Sequence, residues 1–209
     1  MSTARQKWEP FARAPQLLEF LDGLFNQVGI RVTDTGEEFT CARQPDHMAL
    51  IEGIDSNTVD FVVEIDSSQV DRVAAEAATG VFSEAEKYRI LINLVGAPLE
   101  YSATLMNNRA LGSPLVRKLL RVVDVAHIYV QSPTDEEPDE TFTLSLEPTG
   151  WELARGLHGS AGRIITVDLA NALEFHRETF AYKNSSGPLA TLRYLGWYLA
   201  WRRRVSRRT

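Results

Sequence analysis

Between residues 30 and 65, apolar β-branched runs follow one another so closely that they restrict the fold more than any other feature. Ile30–Val32, Glu38–Ala42, Met48–Ile54 and Thr58–Ile65 read as strands, separated by Asp34-Thr35-Gly36, Gln44-Pro45-Asp46 and Asp55-Ser56-Asn57. A parallel return needs a crossover of about a dozen residues or more, so connections this short predict antiparallel hairpins. Strand texture returns later, in Val125–Gln131, Thr141–Glu147, Trp151–Arg155 and Arg163–Val167. The run Thr141 to Glu147 alternates throughout, as a strand does when one face is buried and the other wet.

Helical spacing fills much of the remainder. Leu17, Leu18, Leu21, Leu24, Phe25 and Val28 recur three and four residues apart, with Pro15 as opener and Gly29 as stop. A second helix starts at Ser68, buries Val70, Val73, Ala74 and Ala77, and ends at Gly80. Ser83 and Glu86 form a capping box for a third, containing Tyr88, Ile90, Leu91, Leu94 and Val95 and broken at Gly96-Ala97-Pro98. Further starts lie at Ser113-Pro114, at Asp168 for a helix through Phe180, and at Gly187-Pro188 for a last helix to about Arg204. The expected class is α+β: a mainly antiparallel sheet covered by helices. Without a long linker or a visible internal repeat, residues 1–209 are expected to form one domain.

No run of about 18 apolar residues is present, which excludes a spanning helix. The N-terminal residues lack an apolar signal region, so the expected location is cytoplasmic. Cys41 is the sole cysteine and fits a reducing compartment.

Charge is unevenly divided. The total of −6 splits into −13 for residues 1–178, with 15 basic and 28 acidic side chains, and +7 for residues 179–209. A basic end of this kind suits an anionic surface, whereas the acidic body disfavours nucleic acid.

Catalytic patterns are absent. Cys41 has no cysteine partner and reads as a buried thiol. His47, His127, His158 and His176 show no metal-ligand spacing, and His176 shares a helical face with Leu169, Ala172, Leu173 and Phe180, as a core residue would. The glycine-rich stretch Gly156–Gly162 leads into a strand rather than a helix N-terminus, so it lacks the focus for phosphate and reads as a hairpin connection. No catalytic residue, metal or cofactor is assigned.

The last helix carries two faces. At ~100° per residue, Leu192, Leu195, Gly196 and Leu199 fall on one side. Tyr194, Trp197, Tyr198, Trp201 and Val205 fall on another, centred about 160° away. The aliphatic side is enough to dock on a core. The aromatic side is then free to line a ligand cavity, meet a second protein surface or rest at a membrane interface. Arg202, Arg203, Arg204, Arg207 and Arg208 follow and would contact an anionic bilayer.

Residues 28–106 resemble the sterol carrier protein-2 (SCP-2) family. The resemblance rests on Val59-Asp60-Phe61-Val62-Val63-Glu64-Ile65, on Asp66 to Val73, on Thr79-Gly80, and on the pairing of Glu38–Ala42 with Met48–Ile54. It implies an SCP-2-like core over about 14–167, an apolar tunnel for lipids, sterols or acyl chains, and a C-terminal extension of helices 168–204 ending in the basic tail 202–209. It carries no catalytic residues.

The expected function is therefore non-catalytic binding or transfer of an apolar small molecule or lipid. Tyr194, Trp197, Tyr198, Trp201 and Phe61 would line the site, and the arginines would dock it peripherally on anionic membrane. Two alternatives stay open. One is an enzyme or accessory factor acting on an apolar metabolite, with His127, His158 and His176 as acid–base groups aided by Asp124 or Asp168. The other is a protein-interaction module whose aromatic face forms a homodimer or binds another protein, with the acidic loop at 135–140 pairing with an arginine tail.

Overall fold

The computed structural model describes residues 3–100, 118, 123–135, 138–147 and 150–208. The helix start at Ser113-Pro114 lies outside them. The chain is α+β and divides into two compact units, Met1–Leu94 and Val95–Thr209. The single domain expected over 1–209, with a core at 14–167 and helices 168–204 appended, is thus not how the contacts group. Each sheet has its own apolar face and its own covering helices.

In the first unit, short helices α1 (Ala4–Lys7) and α2 (Pro15–Phe20) precede strands β1 (Gln27–Val32), β2 (Glu38–Arg43), β3 (Met48–Glu52) and β4 (Phe61–Ile65). Helices α3 (Ser67–Thr79) and α4 (Glu84–Leu94) follow. The sheet order is β3-β2-β1-β4. The hairpins β1–β2 and β2–β3 are antiparallel as expected, but β4 runs parallel to β1. The β2–β3 hairpin itself provides the long crossover, which the spacing rule counts only between neighbouring strands.

Helix α2 stops at Phe20, earlier than its apolar spacing predicts. Val28 and Gly29 lie instead in β1, where Val28 faces Cys41 and Phe61 in register. Gly29 is no helix stop: a Cβ there would sit 3.0–3.2 Å from the Ile54 side chain, so the strand needs the missing methyl. Helix α3 is capped by Asp66, whose carboxylate accepts the Gln69 amide at 2.8 Å while Gln69 bonds back, two residues earlier than the start expected at Ser68. Gly80 ends it in the left-handed region at φ 71°.

The second unit contains β5 (Val125–Val130), β6 (Glu140–Glu147), β7 (Gly150–Arg155) and β8 (Arg163–Val167). Helices α5 (Leu169–Lys183) and α6 (Pro188–Val205) follow, then strand β9 (Ser206–Arg208). Its order is β7-β6-β5-β8-β9, again with one parallel pair, β5–β8. Gly156–Gly162 therefore links strands that are not neighbours and is a crossover rather than a hairpin connection.

The two units repeat one plan down to single bonds. Thr40 Oγ1 donates to the Gly53 carbonyl, and Thr143 Oγ1 to that of Gly156, both at 2.8 Å. Gly53 and Gly156 hold φ of 76° and 83°. The Thr33 amide reaches Ile65 O, and that of Gln131 reaches Val167 O, both at 2.8 Å. Asp168 caps α5 as Asp66 caps α3. The chain thus contains a structural repeat that its sequence spacing does not display.

Candidate functional site

Ile30, Val32, Phe39, Cys41, Val63 and Ile65 are buried on one face of the first sheet. Helix α3 lays Val70, Val73 and Ala77 over that face, and α4 adds Leu91 and Leu94. The N-terminal segment completes the cover. Trp8 stacks on Phe11 with centroids 4.6 Å apart, meets Phe39 edge-on at 5.3 Å, and donates its indole N–H to Val70 O at 3.3 Å. Glu37 holds this segment down by accepting the Ala4 and Arg5 amides at 2.6 and 3.0 Å.

These layers do not close completely. They leave a cavity of about 60 Å³, walled by Val28, Ile30, Cys41, Met48, Val63, Ile65 and Val73 together with Trp8 and Phe11. Gln69, Arg72, Glu86, Arg89 and Asn93 also line it. Burial pushes the Cys41 thiol pKa up, because a thiolate would lose its hydration there.

Glu86 departs from its expected role. Its amide bonds to Ser83 Oγ at 3.2 Å, but its carboxylate does not return to cap the helix. Glu76 takes that place, accepting the Ser83 amide at 3.3 Å. The Glu86 side chain is 0% exposed, and Oε2 accepts Arg72 Nε and Arg89 Nη1, both at 2.9 Å. Oε1 is buried without a hydrogen-bond partner. A buried carboxylate oxygen left in that state is costly, and it needs an explanation.

The residues expected to bind ligand fall in different units. Phe61 lies in β4 of the first unit, half-buried, with its ring 6.0 Å from Phe25. Tyr194, Trp197, Tyr198 and Trp201 lie on α6 of the second unit, and their face is the docked one. Phe175 stacks on Trp201 at 4.7 Å, and Tyr182 on Tyr194 at 4.6 Å. Tyr194 Oη shares a 2.8 Å bond with Thr179, Trp201 Nε1 donates to Asn171 O, and Trp197 Nε1 to Glu174. On the aliphatic face expected to dock, Leu192 is 66% exposed while Leu195 and Leu199 are half-buried. Aromatic rings won the inner position because their N–H and O–H tips find partners on α5.

The basic tail is also engaged. Arg204 Nη2 donates to both carboxylate oxygens of Glu174 at 2.8 and 2.7 Å, and Arg202 lies 5.6 Å over the Tyr198 ring. Arg207 and Arg208 belong to β9, in register with Ile164 and Arg163. Arg203 and Arg207 are exposed.

Among the histidines, His127 Nε2 and His158 Nε2 lie 3.0 and 2.8 Å from the carbonyls of His158 and Arg155, so two expected acid–base groups meet through backbone. His176 is buried at 1% exposure, and Asp168 is committed to its cap. Among the described residues, no cluster of His, Cys, Asp or Glu is placed to hold a metal, and no helix is long and apolar enough to cross a membrane. Searches of protein-family models, curated proteins and solved structures give no significant match to this chain.

Sequence reasoning missed Trp8, Phe11, Arg72, Glu86 and Arg89. A signal existed for Glu86: it lies on the same helical stripe as Ile90 and Asn93, four and seven residues on, where a solvated capping glutamate does not belong.

Proposed function

We propose that the first unit is a non-catalytic binding module for a small apolar or amphipathic molecule. The observation that carries this reading is a cavity with apolar walls on both sheet and helices, bordered by a buried carboxylate that two part-exposed arginines pair with. At ~10–15 Å³ per water-sized site, about 60 Å³ offers room for roughly four to six such groups. Each buried methylene contributes ~0.8 kcal/mol, so the chain alone supplies about 3–5 kcal/mol, the millimolar range. A short chain or a single ring fits better than the whole sterol or long lipid implied by an SCP-2-like fold.

Native mass spectrometry of protein purified from cells, with extraction of co-purifying molecules, tests the reading. The expected result is a small adduct that is no longer carried by Ile90→Phe, which puts a bulkier side chain at a residue lining the cavity. An adduct that persists unchanged in Ile90→Phe would place the ligand elsewhere.

A second reading draws on α6, where Leu189 and Leu192 are 80% and 66% exposed. These side chains, rather than the aromatic face, would support self-association. Solution mass of wild type and Leu189→Ser/Leu192→Ser distinguishes it.

A further inference from the structure

We infer that the outer edge of β4 is a docking site for an extended peptide segment of another protein, bound antiparallel as a fifth strand with a basic side chain opposite Glu64. The repeat supplies the template. In the second unit β8 runs parallel to β5, and β9 lies antiparallel along its other edge with Arg207 opposite Ile164. In the first unit β4 runs parallel to β1 in the matching place, and among the described residues no strand lies beyond it. The units differ here because β9 follows directly on α6, whereas residues 96–100 after α4 are helical.

The backbone is set for such a strand. A parallel ladder engages alternate residues, and the amides of Thr33 and Gln131 donate to Ile65 O and Val167 O. Ile65 and Val63 therefore face β1, and the N–H and C=O of Val62 and Glu64 point away from it, as those of Ile164 point toward β9. Val62 is 38% exposed and the Glu64 side chain 61%. An edge of this kind is a template for a further strand, with backbone bonds giving affinity and side chains giving selectivity.

Charge selects the occupant. Glu38, Arg31 and Glu64 stand in register across β2, β1 and β4, with ion pairs at 2.7 and 3.0 Å. The row runs acid, base, acid and ends at the edge, so a lysine or arginine on the next strand continues it. The corresponding row of the second unit, Thr141, Tyr129 and Thr166, is neutral. A second copy of β4 fits poorly. Asp60, Val62, Glu64 and Asp66 take alternate positions, so a twofold pairing centred on Val62, Val63 or Glu64 sets acid against acid.

The test titrates the full chain, followed by its amide resonances, with two capped nonapeptides of alternating valine and threonine. One threonine is replaced by lysine in the first and by glutamate in the second. The lysine peptide is expected to shift the Val62 and Glu64 amides saturably and to slow their hydrogen exchange. It should bind about fivefold more tightly than the glutamate peptide, the scale of one exposed ion pair gained and one like-charge contact avoided. Val62→Pro removes the outward N–H where an edge strand tolerates proline, and should weaken binding at least about tenfold while the Thr33 amide stays protected. Glu64→Gln should bring the two peptides within about twofold of each other, and it decides the matter should Val62→Pro not fold. Equal affinity of the two peptides for wild type overturns the basic partner. Equal shifts along β3, the other edge of the sheet, or displacement of β9 seen at Ile164, overturn the site. So does the absence of any response at Val62 and Glu64, or their protection without peptide in a chain of doubled solution mass.

Discussion

Trp201→Ala asks whether the aromatic face of α6 is structural. Trp201 is 5% exposed, stacked on Phe175 at 4.7 Å, and its indole N–H donates to Asn171 O at 3.1 Å. Truncating a buried Trp to Ala costs about 3–5 kcal/mol, because lost transfer energy and a residual cavity add. Tyr194→Phe removes one hydroxyl but strands that of Thr179, which is 0% exposed, for about 1–3 kcal/mol. Leu192→Ala, on the open face, should stay within about 0.5 kcal/mol. Urea unfolding followed by circular dichroism reads all three. With a slope of about 2 kcal/mol/M, Trp201→Ala lowers the midpoint by roughly 2 M. If Trp201→Ala is neutral while Leu192→Ala is costly, the assignment of the two faces is wrong.

Further predictions concern the first unit. Replacing both Arg72 and Arg89 by Met strands a buried carboxylate and should cost about 3–5 kcal/mol. Glu86→Gln should cost less, since the arginines, with side chains 37% and 30% exposed, can turn to water. Chemical denaturation of the variants ranks them. Hydrogen bonds from Ser67 hold the Asp34 carboxyl below its ordinary range, and those from Ser68 and Gln69 do the same for Asp66. Folded values lower than unfolded ones mean that this support is present above the ordinary carboxyl pKa and is lost as pH falls through the folded values. The start of α3 should therefore loosen below about pH 4, seen as faster amide exchange at Ser67 and Gln69. Cys41, buried with its thiol pKa pushed up, should react with an aromatic disulfide reagent only on opening of the unit, and 1-hexanol should slow that reaction further.

Most strands were legible because turn signals bracket β-branched runs, and all eight expected strands occur. The parallel return of β4 beside β1 was not, since spacing describes neighbours in sequence and not the strand a chain comes back to. The repeat was hidden because its shared elements are scattered single residues: Ile30 and Ile128, Val32 and Val130, Phe39 and Phe142, Thr40 and Thr143, Gly53 and Gly156, Asp66 and Asp168. Loop lengths between them differ, so no fixed period appears. The two faces of α6 were both visible, but periodicity cannot say which is buried. That depended on Glu174, Thr179 and Asn171 waiting on α5 to satisfy aromatic polar tips. Glu86 was recognised as a helix-start residue and assigned to the wrong partner, since Glu76 and Arg72 come from α3 and only Arg89 lies beside it on α4.

The central claim is that the interior of the first unit is hollow and apolar enough to receive a guest. Xenon under pressure tests it without a choice of ligand, because apolar cavities take up xenon. Methyl resonances of Val28, Ile30, Val63, Ile65 and Val73 should shift saturably, and well beyond those of the exposed Leu189 and Leu192. Shifts no larger in the first group than in the second would mean that the space is already filled, and the binding account would be wrong.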